Sequence, residues 1–451
     1  MPDKFHKQFT TADGSLLMQE AFLHYIWQSQ QFHHQHLQTD EGEALQIFTP
    51  GFINDQAGPD FEQARIKIGP LEWLGKVEIH IKSSDWMAHQ HQQDPAYDGV
   101  ILHVVWENNQ PIRRRDNSLI PTLSLKERVG DKALKKYQHF LQTDHQHPCK
   151  PFLAQCPDYF KWGMVDMALM ERLHLKRDQI LEYHYKNGQH WQQTAFWVIA
   201  RAFGFRLNSD AMMMLAETLS WRSLVKTLDQ KLTTECLLFG TAGLITSSPR
   251  DQYEAALWEE FSFYQKKFNL QPMNPVAWRF ARTRPFNFPT IRLAQLANWL
   301  LKNPIPLNAL LKNPKDIAES WNICGSAYWQ KHHHFAKPSA KNFAQLGPSA
   351  LDTIVINAIV PFMLAYGEQS GRSLLKEEAL NILAERPSEK NKVIKEWAAH
   401  GLKAKNAGEG QGLLQLEQQY CQLHRCLHCK IGRWSIGKGA LHEKQKEATN
   451  I

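Results

Sequence analysis

Short apolar runs of strand length crowd the first third of the chain. Residues 44–48, 64–68, 77–81 and 100–106 alternate apolar with polar positions or are rich in β-branched side chains, and glycine, proline and aspartate punctuate them. This pattern predicts four strands. A helix precedes them, from about Leu16 to Phe32, with Glu20, Leu23 and Trp27 on one face by their spacing of three and four. After about Lys150 the period changes. Residues 157–187, 190–204, 208–228, 251–268, 275–283, 290–302, 348–366, 373–385, 388–404 and 411–425 read as amphipathic helices. The expected fold class is therefore α+β followed by α. An α/β domain over residues 1–135 with a mixed sheet precedes a mostly helical domain over 150–451, and the polar stretch Thr143–Pro148 links them. No internal repeat of fixed period is visible.

At 451 residues, two or three domains are expected. A composition 43% hydrophobic and 22% charged excludes a disordered or collagenous chain. The net charge of +7 allows an anionic partner such as nucleic acid without requiring one. Seven cysteines is an odd, low count, which suits thiols that are reduced or on a metal rather than a disulfide framework. The polar start Met1–Gly14 is unlike a signal peptide. The apolar run Ile354–Ala365, broken by Asn357 and Pro361, is shorter than the roughly 20 residues a bilayer requires. A cytoplasmic protein without membrane contact is the expectation.

Chemistry gathers around the third strand. Val77, Ile79 and Ile81 take one face, and Glu78, His80 and Lys82 the other. Asp60, at the start of the preceding strand, can lie beside Glu78, and two adjacent carboxylates are stabilised by a divalent ion such as Mg²⁺ or Mn²⁺. A neighbouring base or amine can then position water. The bland alternative is a solvated strand face. His89, His91, Asp94 and His103 form a second polar cluster, and a His-x-His pair there could bind zinc with Asp60 and Glu78, or orient the carboxylates from behind. Asp94-Pro95 with Tyr97 resembles a helix start.

The element order αβββαβ, Pro59-Asp60 and, eighteen positions later, Glu78-Ile79-His80 together resemble the PD-(D/E)XK nuclease superfamily over about residues 16–125. The resemblance implies a restriction-endonuclease-like core and Mg²⁺-dependent phosphodiester hydrolysis. In it Asp60 and Glu78 hold the ion, Lys82 or His80 positions water, and Glu20 on the first helix supports the site. The superfamily's usual lysine position is His80 here, with Lys82 two residues on. Gly58-Pro59-Asp60-Phe61, Ser84-Asp85-Trp86 and the stretch from Tyr420 to Gly432 also resemble an uncharacterised bacterial family known only as a domain of unknown function, over nearly the whole chain.

Near the far end, Cys421, Cys426 and Cys429 form C-x4-C-x2-C, a spacing that does not place all three on one helix face. Shared metal ligation is expected, completed by His424 for zinc or by Cys324 for zinc or an iron–sulfur cluster. Cys149, Cys156 and Cys236 carry no motif, and His332-His333-His334 reads as surface. Arg113-Arg114-Arg115 and Lys430, Arg433, Lys438, Lys444 and Lys446, with Trp434 among them, suit nucleic-acid contact or a solvated face. The sequence thus points to a metal-dependent nuclease. A non-catalytic nucleic-acid-binding or scaffolding protein on a degenerate nuclease fold is the alternative, and a zinc hydrolase is the third reading.

Overall fold

The computed structural model describes residues 19–54, 57–130, 134–135, 137–138, 147–312 and 321–437. Four expectations fall outside these residues: the first turn of the helix from Leu16, the turn residues Asp55 and Gln56, most of the Thr143–Pro148 stretch, and the lysines 438, 444 and 446. The chain forms two units. One comprises Met1–Val165, His400–Leu402 and Leu416–Ile451; the other comprises Asp166–Ala399 and Lys403–Gln415. The boundary thus falls later than residues 135–150. The cysteine-bearing segment belongs with the α/β unit rather than with the helices.

In the first unit α1 (Glu20–Ser29) precedes a six-stranded mixed sheet. Its strands are β1 (Leu45–Thr49), β2 (Phe52–Ile53), β3 (Phe61–Ile68), β4 (Leu71–Lys82), β5 (Val100–Glu107) and β6 (Thr122–Ser124). β3 pairs antiparallel with β1, β2 and β4, and β5 runs parallel to both β4 and β6. The four expected strands are present, and β2 and β6 extend the sheet. β2 and β6 are two and three residues long, too short for a period to register. α1 packs on β4, burying Phe22, Leu23, Ile26 and Trp27 near Val77 and Ile79 in the core of the unit.

Parallel strands need a crossover. Residues 83–99 supply one with a four-residue helix, α2 (Asp85–Ala88), and two 3₁₀ turns, His91–Gln93 and Pro95–Tyr97. The last is capped by Asp94, whose Oδ1 accepts the Ala96 N–H at 2.9 Å. Trp86 is fully buried in this crossover and anchors it. The C-terminal segment completes the unit: Ile431, Ser435 and Ile436 are wholly buried, and the Tyr25 hydroxyl donates to the Arg433 carbonyl at 3.0 Å.

Among the described residues, the second unit is mostly helical, with a two-stranded ribbon, His332–His334 with Lys337–Pro338, and a single bridge between Cys324 and Gln345. Its core includes Trp197, Trp221, Trp299, Trp321 and Trp329, with Trp191 and Trp258 packed against it, so these indoles join helix to helix. The histidine run is half-buried in the ribbon rather than on the surface, and His332 stacks on Tyr328 at 4.0 Å. One helical stretch, Pro348–Gln369, is 22 residues long because a π-helical turn at Val355–Ile359 carries it past Pro361. By length and composition it is long enough to cross a membrane, although the apolar run alone is not. Most of its apolar window is buried within the protein.

Candidate functional site

Two backbone hydrogen bonds hold the carboxylates of Asp60 and Glu78 together. The Asp60 N–H donates to Glu78 Oε2 at 3.1 Å, and the Ile79 N–H donates to Asp60 Oδ2 at 2.9 Å. A bulge in β3 between Phe61 and Ala64, with Gln63 at φ 57°, turns the start of that strand toward β4. The face carrying Glu78 and His80 is not solvated: Glu78 is 5% exposed and His80 1%. Trp86 and His91 of the crossover cover it. Burial, reinforced by the charge of Asp60, pushes the Glu78 carboxyl up to about 9.

Three histidines meet Glu78. His91 Nε2 stands 3.3 Å and His80 Nε2 3.6 Å from Glu78 Oε1, and His89 Nδ1 lies 3.1 Å from His80 Nε2. The ligand nitrogens of His80, His89 and His91 all fall within 4.8 Å of one another. For a tetrahedral ion with metal–nitrogen bonds of about 2.05 Å, ligand atoms stand about 3.3 Å apart. The three measured separations bracket that value. His80, His89 and His91 therefore fit one ion, with Glu78 Oε1 close to two of the three imidazoles. Imidazole nitrogens suit zinc, the carboxylates beside them also admit manganese, and magnesium prefers an oxygen shell.

The surroundings hold these rings in place. His80 Nδ1 is 2.8 Å from Nε2 of His103, which sits opposite Glu78 on β5. A His80 that ligates through Nε2 would donate its Nδ1–H to His103. Burial and neighbouring imidazoles lower the basicity of His80, to about 4, and hold His103 well below the ordinary range, so both rings are neutral. His91 stacks on Tyr97 with ring centres 3.8 Å apart, and Trp86 meets His91 and His103 edge-on.

Two groups on α1 face Asp60. His24 Nε2 is 3.2 Å from Asp60 Oδ2, close enough for charge pairing but out of line for a hydrogen bond. Glu20, one helical turn earlier, is raised above its usual range first by burial and then by the charge of Asp60, while His24 and His89 act the other way. The structure thus brings Glu20, Asp60, Glu78 and His80 together and adds His24, His89, His91 and His103. Lys82 stands exposed at the end of β4, and its backbone N–H donates to Asp85 Oδ2 at 2.9 Å. His24 escaped notice in the sequence, although its i+4 spacing from Glu20 puts both on one helical face.

The basic residues have local tasks. Arg113 donates to the Asn117 carbonyl, Arg114 to the Val100 carbonyl, and Arg115 pairs with Asp98. Lys430 Nζ donates to the Gly163 carbonyl, and the Arg433 guanidinium lies over the Tyr25 ring.

The cysteines group differently from their spacing. Cys324 belongs to the second unit, where Asn342 Nδ2 lies 3.6 Å from its sulfur. Cys149, which carries no motif, lies instead near Cys421, Cys426 and Cys429, close enough for their charges to act on one another. His424 adopts a left-handed backbone, φ 51°, in the turn after Cys421.

No curated protein and no solved structure matches the chain. A family model does match, over residues 20–392, a span that includes every donor at the Asp60–Glu78 site. The chain therefore belongs to the family described as "Protein of unknown function (DUF2851)".

Proposed function

We propose that the first unit is a metal-dependent phosphodiester hydrolase acting on nucleic acid. Its ion, Zn²⁺ or Mn²⁺, would sit on His80, His89 and His91 beside Glu78 rather than being Mg²⁺ on carboxylates alone. The observation that carries this reading is the close group of His80, His89 and His91, with Glu78 Oε1 3.3 Å from His91 and 3.6 Å from His80, beside a second carboxylate that is itself oriented by a hydrogen bond. The eighteen-residue interval from Asp60 to Glu78 and the resemblance built on it support a phosphodiester as the bond attacked.

A divalent ion at this position supplies Lewis acidity toward a phosphoryl oxygen and lowers the pKa of water. The protein's own groups do the rest. Asp60, fixed by the Ile79 N–H, presents its carboxylate beside the ion site. Glu20, whose proton affinity burial has raised, is suited to hold or accept a proton. His24 stands between them at Asp60. His103 fixes the His80 ring, and Trp86 and Tyr97 exclude water behind His91.

The test is hydrolysis of single- and double-stranded DNA and RNA with Mn²⁺, Zn²⁺ or Mg²⁺ supplied in turn. Activity should be highest with Mn²⁺ or Zn²⁺. Asp60→Asn and Glu78→Gln should abolish it without loss of fold, and Glu20→Gln should lower turnover by about 10²- to 10⁴-fold at unchanged metal content. Metal-loaded protein that is inert on all four substrates yet binds one of them would favour the non-catalytic nucleic-acid-binding reading.

A further inference from the structure

The second unit holds a cavity of about 470 Å³, a volume typical of small-molecule sites. Four cations line it: Arg172, Lys176, Arg201 and Arg206. No carboxylate is among the lining residues. The apolar part of the lining includes Ile180, Val198, Phe205, Ala358 and Pro361. The π-helical turn that carries the chain past Pro361 also places Asn357 on the cavity.

Two of the cations are fixed side by side. Arg172 and Lys176 stand one turn apart on the helix Asp158–Lys186 and so share a face. Arg172 Nε and Lys176 Nζ donate to the same atom, Gln411 Oε1, at 2.7 and 2.9 Å. Lys176 Nζ also donates to Asn357 Oδ1 at 2.6 Å. The amide nitrogens of Asn357 and Gln411 donate in turn to Glu389, at 3.3 and 2.7 Å, and Glu389 is not part of the lining. Like charges at this spacing repel, and withdrawing them from water adds to the cost. Burial and then the charge of Arg172 lower the Lys176 pKa to about 7, against the pull of Glu389. An anion in the cavity offsets both effects. Further polar groups face the cavity uncommitted. The Tyr183 hydroxyl, the Gln179 carboxamide and the Arg206 guanidinium line it and have no hydrogen-bond partner among the described residues.

We propose that this cavity binds a small organic phosphate. Its phosphate lies against the cations, whose guanidinium groups pair with phosphoryl oxygens, and its carbon body lies on the apolar lining. A phosphate monoester carries close to two negative charges, which suits four cations with no acid among them better than a single carboxylate does. The volume suits one mononucleotide or sugar phosphate. The site lies within the second unit and does not rest on the reading given to the Asp60–Glu78 site.

Calorimetric titration of the full chain tests the proposal, with adenosine 5′-monophosphate and glycerol 3-phosphate as ligands and inorganic phosphate, adenosine and glycerol as controls. One ester or both should bind saturably, and the tighter identifies the carbon body. Each control should bind at least about tenfold more weakly, since it lacks one half of the contacts. Arg206 is exposed, so Arg206→Glu should fold normally and weaken binding by at least about tenfold. Glu78→Gln should leave the affinity unchanged, which separates this cavity from the Asp60–Glu78 site. Absence of saturable binding by both esters would overturn the proposal. So would a control that binds as tightly as the better ester, affinity that survives Arg206→Glu, or affinity lost in Glu78→Gln.

Discussion

Whether the site works through His80 or Lys82 turns on two residues of β4 that point the same way. The alternation of strand side chains was legible, and so was the pairing of Asp60 with Glu78. What lay hidden was the covering of that face: periodicity assigns a side chain to a face but does not say what packs on it. His80 is buried against His103 and His89, while Lys82 is exposed. We predict that Lys82→Ala leaves turnover within about tenfold of wild type and that His80→Ala abolishes it, measured at saturating metal. His103→Phe removes the acceptor for His80 Nδ1 and should weaken metal binding by about 10–100-fold in chelator competition, with the fold kept. A separate residue carries the pH prediction. In the second unit Lys176 donates to Asn357 and Gln411, and burial lowers its pKa to about 7. Between about pH 7 and the ordinary lysine range the unfolded chain binds the extra proton, so stability rises with pH across that window. Wild type should therefore gain stability over Lys176→Met as pH rises from 7 to about 10 in denaturant titrations, and a flat difference would exclude this account.

At the scale of elements, the alignment of β4 with β5 sets Glu78 opposite His103, and a glycine permits it. A Cβ on Gly75 would come within 2.4 Å of Ile101 Cγ2 and 3.0 Å of the Gly99 carbonyl. Ile101 is β-branched and 8% exposed, with little room to yield. Gly75→Ala should cost about 1–3 kcal/mol in chemical denaturation, and Ile101→Ala in the same chain should recover part of it. The long strands and α1 were readable because each repeats its period several times. β2, β6 and the β3 bulge were not, since two or three residues hold no period and a bulge breaks the one being read. The crossover was readable only in part: Asp94-Pro95 marks its last turn, but the return of His89 and His91 over β4 depends on the burial of Trp86.

At the scale of the whole molecule, the helical half was legible from its period, but the membership of the C-terminal segment was not. Nothing in the stretch 416–437 announces that Ile431 and Ile436 belong to a core begun at Phe22. Residues 1–165 alone should therefore fail to show a cooperative thermal transition, whereas the full chain should show one; a sharp transition in the fragment would mean that the last segment is dispensable. Tyr25 and Arg433, joined by a hydrogen bond, stand 408 positions apart. At about 5–20 residues per second, a ribosome needs on the order of 20–80 seconds to make the stretch between them. During that interval the first part of the chain to emerge waits unfinished. The usual order, in which the leading domain is complete before the next is made, cannot hold here. A chain released just after Gln415 would leave the ribosome with its helical half complete and its α/β half lacking the last segment of its core. Selection on this gene should thus act strongly against late frameshifts, although they fall far from Asp60 and Glu78 in the reading frame.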